Sequence, residues 1–204
     1  MIKVGFIDDE NTNYADYAKR LSRRGIELIQ YTQEISSPNI VNWVISEYIL
    51  CLIVDYDLQK KFKGNGTNII FDINQILPDF PCIMLTNYPE PSKNEKVVSR
   101  RLIWDRDRMS AQDLSSVVDD IKNEVDVFLR RKQILFSQYE ELLDKRQHAT
   151  MSAIEEERFL QLHSLFSKYG ETDDIPSQLM TADADKKLDS IIEKLSKLVG
   201  RKED

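Results

Sequence analysis

Short apolar segments alternate with helix-length amphipathic stretches through the first half of the chain. Two of the apolar segments, CLIV at 51–54 and PCIML at 81–85, contain no charged or hydrophilic side chain. Continuous apolar runs of this length are typical of strands that are covered on both faces, as in a parallel sheet. We therefore predict five strands, at 3–7, 27–31, 50–54, 81–85 and, with a weaker pattern, 101–104.

Three helices are predicted between these strands. The first spans 13–24 and is followed by Gly25, a residue that often terminates helices. The second begins at Pro38, since proline suits the first turn of a helix, and the third begins at Thr67, a capping residue. Alternating strands and helices of these lengths predict an α/β fold, in which a parallel sheet is sandwiched by helices.

From about residue 111 the strand pattern stops and the pattern becomes helical. Ser110 is placed to cap a helix that runs to about His148 without glycine or proline. Apolar residues along it follow heptad spacing, with Lys132 as an interruption. The stripe consists of Val118, Ile121, Val125, Phe128, Leu135, Tyr139 and Leu142. Two interpretations fit it: a coiled coil that pairs two chains in a homodimer, or an antiparallel bundle with the helices that follow.

Two shorter helices are predicted after the long one. Ser152 and Glu155 have the spacing of a capping box at the start of the first, and Thr181 is placed to cap the last. We therefore predict an α/β domain at 1–122 and an all-helical extension at 123–204, with the long helix continuing from the last helix of the domain.

The chain carries a net charge of −7, and the excess of acidic residues lies in its second half. Nucleic-acid binding draws much of its affinity from Lys and Arg, so we expect no nucleic-acid partner. No apolar run approaches the ~20 residues of a membrane helix, and no signal region is evident, so we expect no membrane partner and a cytoplasmic location. Cys51 and Cys82 lie within strand patterns and are expected to be core residues.

Acidic and hydroxyl side chains stand at the ends of three predicted strands. Asp8 and Asp9 follow the first strand, Asp55 the third and Thr86 the fourth. Because the carboxyl ends of parallel strands meet at one edge of a sheet, these side chains are expected to lie together. Three carboxylates so close cannot all ionise comfortably without a cation, and oxygen ligands of this kind suit Mg²⁺. The ion would also neutralise a phosphoryl group that arrives at Asp55.

The segments VGFIDDE, CLIVDYDL and PCIMLTN resemble the first, third and fourth strands of bacterial response-regulator receiver domains. The resemblance covers the predicted α/β domain and implies the flavodoxin-like strand order 2-1-3-4-5. It implies that Asp8 and Asp9 bind the metal, that Asp55 is the phosphoacceptor and that the Thr86 hydroxyl contacts the phosphoryl group. Asp57 matches the position whose backbone carbonyl completes the metal site.

The match departs from the family after the fifth strand, where receivers carry a lysine. Counting back from Leu114 places Asp107 in the lysine position and Trp104 in the position of the aromatic switch residue. An acid at the lysine position would add repulsion among the carboxylates instead of a cation. Arg106 and Arg108 flank it, and a register shift of one residue would bring an arginine to the site.

The resemblance implies a signalling protein that accepts a phosphoryl group at Asp55 from a histidine kinase or phosphotransfer protein and acts on an unidentified protein target through its helical half. We expect no enzymatic activity apart from self-catalysed phosphorylation and dephosphorylation of the aspartate. The acid at the lysine position supports a second hypothesis, a degenerate receiver that serves as a phosphorylation-independent scaffold. Asp55-Tyr56-Asp57 followed by Thr86 also suggests a haloacid-dehalogenase-like phosphatase, but that family's double aspartate ends the first core strand, whereas a complete strand precedes it here.

Overall fold

The computed structural model describes residues 1–9, 13–58, 64–87, 89 and 94–173. The predicted last helix, from Thr181, lies outside this range. The elements with described bounds are, in chain order, β1 (Ile2–Ile7), α1 (Tyr14–Ser22), β2 (Ile26–Gln30), α2 (Ser37–Ser46), β3 (Cys51–Asp55), α3 (Gly66–Ile76), β4 (Cys82–Thr86), a 3₁₀ turn (Arg100–Leu102), β5 (Ile103–Asp105), α4 (Asp107–Ser110), α5 (Ser115–His148) and α6 (Ala153–Lys168).

The five strands form one sheet in the order β2-β1-β3-β4-β5, and every neighbouring pair is parallel. This is the flavodoxin-like order, and it confirms the predicted fold. All residues of β3 and β4 are buried, as their continuous apolar sequences indicated. The order reverses between β1 and β3, so the carboxyl ends of these two strands frame the crevice in which such sheets bind ligands.

Side chains of alternate strand residues fill the layers on the two faces of the sheet. On one face Phe6, Ile53 and Leu85 pack with α1 and with the first part of α5. The helices α2 and α3 contact each other and bury Ile40 and Ile69, among other side chains. Each strand is therefore held between hydrophobic layers, which fixes the positions of the polar residues at its end.

Two predicted helix starts are corrected by the structure. Asn65, not Thr67, caps α3: its side chain accepts a hydrogen bond from the backbone N–H of Asn68, and the Asn68 side chain accepts one from the N–H of Asn65. Asparagine caps helices at least as well as threonine, so the pattern alone could not choose between them. The long helix α5 begins at Ser115, where Asp113 accepts the Ser115 N–H at 2.9 Å, whereas Ser110 ends the separate turn α4.

The chain divides into two compact units, Met1–Lys132 and Gln133–Asp204. The division falls within α5, further along the chain than the predicted boundary at 122. Among the described residues, no helix is long and apolar enough to cross a membrane.

The predicted heptad stripe is buried inside each unit separately. In the first unit, Val118, Ile121 and Val125 belong to the core above the sheet. The centroid of the Phe128 ring lies 5.6 Å from the centroid of the Phe80 ring. In the second unit, the end of α5 and α6 form an antiparallel hairpin whose core includes Tyr139, Phe159, Leu162 and Phe166, with Leu135 and Leu142 packed against it. The buried members of the stripe are thus covered by their own chain, which favours the second interpretation of the stripe, and the homodimer stays a prediction.

Candidate functional site

The polar residues predicted at the strand ends lie together at the carboxyl edge of the sheet. Asp8 follows β1, Asp55 is the last residue of β3, and Thr86 is the last residue of β4. All three are buried. One carboxylate oxygen each from Asp8, Asp9 and Asp55 lie within 4.8 Å of one another, so the predicted acidic cluster is present.

An arginine lies against this cluster. Arg106 follows β5, and its Nη1 donates to Oδ2 of Asp8 at 3.0 Å while its Nη2 lies 2.6 Å from Oδ1 of Asp55. The backbone N–H of Arg106 donates to the carbonyl oxygen of Thr86 at 2.9 Å, which fixes the start of the side chain beside β4. The guanidinium therefore bridges the ends of β1 and β3 from a position beyond β5.

Asp107, the residue predicted in the lysine position, does not bring an acid into the cluster. Its side chain is exposed at the start of α4, and its backbone N–H donates to Oδ1 of Asp105 at 2.9 Å. The expected repulsion is replaced by attraction, because the flanking residue Arg106 enters the site instead.

The second flanking arginine has a different position. Arg108 stacks over the Trp104 ring, 4.6 Å from its centroid, and pairs with Asp120 of α5 at 2.9 Å. Trp104 itself is buried, and its indole N–H donates to the carbonyl oxygen of Arg101 at 3.2 Å. These contacts connect β5 to α5 next to the site, and the switch role of Trp104 stays a prediction.

Burial and neighbouring charges set the protonation of the two central groups. Burial raises the pKa of Asp55 to about 6; Arg106 opposes this rise, while repulsion by Asp8 and Asp9 adds to it. Burial of Arg106 lowers its pKa, but Asp55 and Asp8 raise it more, so its net pKa lies above the ordinary value. Arg106 therefore stays charged, and one guanidinium does not fully offset the cost of ionising Asp55.

Gly66 is a site residue that the sequence analysis did not single out. It begins α3, and its N–H donates to the carbonyl oxygen of Tyr56 at 2.9 Å. A Cβ on this residue would overlap the backbone carbonyl oxygen of Asp55 and lie 3.2 Å from the sulfur of Met84. Only glycine permits this close approach of α3 to the end of β3.

Glu95 is a second residue that the sequence did not single out. Its Oε1 accepts hydrogen bonds from the Tyr56 hydroxyl at 2.6 Å and from Nδ2 of Asn65 at 3.2 Å. The bond to Glu95, with burial, raises the pKa of Tyr56. This link joins the residue after Asp55 to the cap of α3, and no local sequence pattern indicates it.

The donor set fits a divalent cation such as Mg²⁺. Three carboxylates converge, and repulsion by Asp8 and Asp9 adds to the effect of burial in raising the pKa of Asp55, so a further positive charge would relieve this repulsion. Asp8, Asp9 and Asp55 are the residues that would hold the ion. Asp57 is exposed in the loop after β3, and the role predicted for its carbonyl stays a prediction.

No family model matches the sequence, and no curated protein matches it significantly. Solved structures do match it. A CheY-like receiver domain protein of Methanospirillum hungatei JF-1 is 13% identical, with 64% of this chain and 98% of that chain covered and a TM-score of 0.48. A response regulator of Thermotoga maritima is 15% identical, with 62% and 98% covered and a TM-score of 0.46. The RcsB response regulator of Salmonella typhimurium is 16% identical, with 86% and 95% covered and a TM-score of 0.48.

All three are response regulators. The receiver-like fold that the sequence predicted is supported by the flavodoxin-like order of this chain's own strands. The strand order and the parallel pairing are observed in this chain directly. What the site does has to be inferred from its own side chains.

Proposed function

We propose that this chain is a response-regulator-like signalling protein that accepts a phosphoryl group at Asp55. The observation that carries the proposal is the convergence of Asp8, Asp9 and Asp55 with Arg106 at the carboxyl edge of the sheet. A buried nucleophilic carboxylate with a cation beside it suits transfer of a phosphoryl group, whose charge must be neutralised. The donor would be a histidine kinase or a phosphotransfer protein.

In the proposed reaction, an oxygen of the ionised Asp55 carboxylate forms a bond to phosphorus. The bond between phosphorus and the donor group breaks, and the donor keeps that electron pair. When Mg²⁺ is bound by Asp8, Asp9 and Asp55, it supplies positive charge to the phosphoryl oxygens. Arg106 keeps a positive charge at the edge of the site, where it would pair with the phosphoryl group once Mg²⁺ holds the carboxylates, and the hydroxyl of Thr86, at the end of the neighbouring strand, would donate to a phosphoryl oxygen.

The signal would leave the site through β5 and α5. Arg106 pairs with Asp55, and two residues further on Arg108 pairs with Asp120 of α5 and stacks on Trp104. A change in the position of Arg106 would therefore move Arg108, and with it the contacts that Arg108 makes with the first part of α5. We propose that the helical half passes this change to a protein target.

Intact-mass spectrometry tests the proposal. The full chain is incubated with acetyl phosphate and Mg²⁺, with omission of Mg²⁺ as a second condition. Wild type is expected to gain one phosphoryl group, Asp55→Asn none, and the matched control Asp119→Asn, which changes an exposed acid of α5, as much as wild type. An unmodified wild type, or an equally modified Asp55→Asn, would contradict the proposal.

A second candidate is a phosphorylation-independent scaffold. The observation that favours it is that Arg106 already pairs with both Asp8 and Asp55. In this case a strain that carries Asp55→Asn would behave as wild type, while Leu135→Pro, which breaks α5 next to the core of the second unit, would lose function. Loss of function in Asp55→Asn with an intact fold would eliminate the scaffold.

A further inference from the structure

Arg106 contacts two of the three carboxylates of the site, one with each of its terminal nitrogens. Its two terminal nitrogens contact different residues, Asp8 at 3.0 Å and Asp55 at 2.6 Å, and its side chain is only 15% exposed. A guanidinium is suited to this geometry, because its donors are rigidly spaced and it carries charge at every physiological pH. A lysine ammonium is a single point of charge and cannot present two donors in a fixed fork.

The same two carboxylates belong to the cluster that fits a divalent cation. Mg²⁺ requires carboxylate oxygens at ~2.0–2.1 Å in a near-octahedral arrangement and tolerates little distortion. An oxygen that accepts an N–H from Arg106 is turned toward the guanidinium, and the positive charge of Arg106 repels an incoming cation. Metal and guanidinium therefore compete for the same two carboxylates.

The arginine is anchored by its backbone and can release its side chain. Its N–H is fixed to Thr86, and α4 begins at the next residue. The Nε–H, in contrast, is buried and has no hydrogen-bond partner among the described residues. Among the described residues, the side chain is thus held by its two ion pairs, while its Nε–H donates no hydrogen bond. Loss of these two pairs would therefore free the guanidinium.

We propose that Arg106 is an internal counter-cation that competes with Mg²⁺ for Asp8 and Asp55 and thereby sets the affinity of the site for the metal. Metal enters only as the guanidinium withdraws, so the apparent affinity is reduced by the fraction of molecules in which Arg106 is engaged. The proposal rests on the metal site of the proposed function. It assigns to Arg106 a regulatory role that is independent of whether Asp55 is ever phosphorylated.

Isothermal titration of the full chain with MgCl₂, without any phosphodonor, tests this role. We expect Arg106→Gln to bind Mg²⁺ at least about tenfold more tightly than wild type, because a competing charge-assisted pair is removed. Arg106→Lys should also bind more tightly than wild type, but less so than Arg106→Gln. The matched control Arg108→Gln removes an equal charge from a neighbouring residue that pairs outside the cluster, and its affinity should change by less than about twofold.

Equal or weaker Mg²⁺ binding by Arg106→Gln and Arg106→Lys would overturn the proposal, as would the same tightening in Arg108→Gln. If Arg106→Gln does not fold, Arg106→Lys decides in the same way. The outcome is separable from that of the proposed function. Labelling of wild-type Asp55 with unchanged metal affinity in the variants refutes only the competition, whereas tightened metal binding with no labelling refutes only the phosphotransfer.

Discussion

Replacement of Gly66 by alanine tests whether the approach of α3 to β3 is as close as the structure indicates. Gly66 is buried, and an added Cβ would overlap the carbonyl oxygen of Asp55 and lie 3.0 Å from its carbonyl carbon. The obstructing atoms are backbone atoms of a central strand, which cannot rotate away as a flexible side chain would. Either α3 shifts outward or the end of β3 moves, and in both cases the position of Asp55 changes.

The magnitude follows from two opposing effects. Overpacking of a buried position typically costs about 1–3 kcal/mol. Alanine gains up to about 1 kcal/mol over glycine inside a helix, but Gly66 is the first residue of α3, where that gain is smaller. We expect a net loss of about 2 kcal/mol in the free energy of unfolding, which corresponds to a fall of about 1 M in the urea midpoint.

Urea unfolding followed by tryptophan fluorescence measures this loss. Both tryptophans, Trp43 and Trp104, are buried in the first unit, so the signal reports on the unit that contains Gly66. The matched control Gln75→Ala changes an exposed residue of the same helix and should stay within about 0.5 kcal/mol of wild type. A Gly66→Ala midpoint equal to that of wild type would refute the close approach.

Three further predictions concern charge, a buried hydrogen bond and a cap. In metal-free buffer, the stability of wild type should fall as the pH rises through about 6, because the pKa of Asp55 in the folded state lies above its unfolded value. Asp55→Asn removes this fall, so in urea unfolding the variant should be more stable than wild type by about 1 kcal/mol at pH 8 but not at pH 4. The same dependence of stability on pH in both proteins would contradict this expectation. Tyr139→Phe removes a 3.0 Å hydrogen bond to the buried ring of His163 and should cost about 1–2 kcal/mol in thermal unfolding followed by circular dichroism; an unchanged unfolding curve would exclude a contribution of this bond. Ser152→Ala removes the hydroxyl that caps α6 and should cost about 1 kcal/mol in the same measurement, whereas Ser167→Ala, inside the helix, should cost less.

The strands and their arrangement could be predicted because their sequence pattern depends on local burial. The runs CLIV and CIML are apolar on both faces, and the structure buries every residue of β3 and β4. The acids at the strand ends could be predicted as a cluster for a related reason, since topology brings the ends of parallel strands together. Asp8, Asp9 and Asp55 are therefore where the sequence indicated.

The cation of the site could not be assigned from the sequence, because the segment 100–108 contains four arginines around a strand of only three residues. A shift of one residue exchanges Asp107 for Arg106 at the site, and no periodicity in so short a strand decides between them. The role of Gly66 was missed for another reason. The contact that requires a glycine is made with Asp55, across a loop, and leaves no trace in the local pattern.

The partner of the heptad stripe could not be predicted from the sequence either. Its 3,4 spacing identifies the buried face of α5 but not what covers that face. The structure covers the early positions with the core above the sheet and the later ones with α6. A continuous pattern on one helix thus serves two separate cores, and a pairing of two chains is not needed to bury it.

Chemical trapping at Asp55 tests most directly whether this residue itself accepts the phosphoryl group. After incubation with acetyl phosphate and Mg²⁺, borohydride reduces an aspartyl phosphate to homoserine, and peptide mass spectrometry locates the converted residue. We expect conversion at Asp55 in wild type and none at Asp8, Asp9 or Asp57. Absence of conversion, or conversion at another residue while Asp55 remains intact, would contradict it.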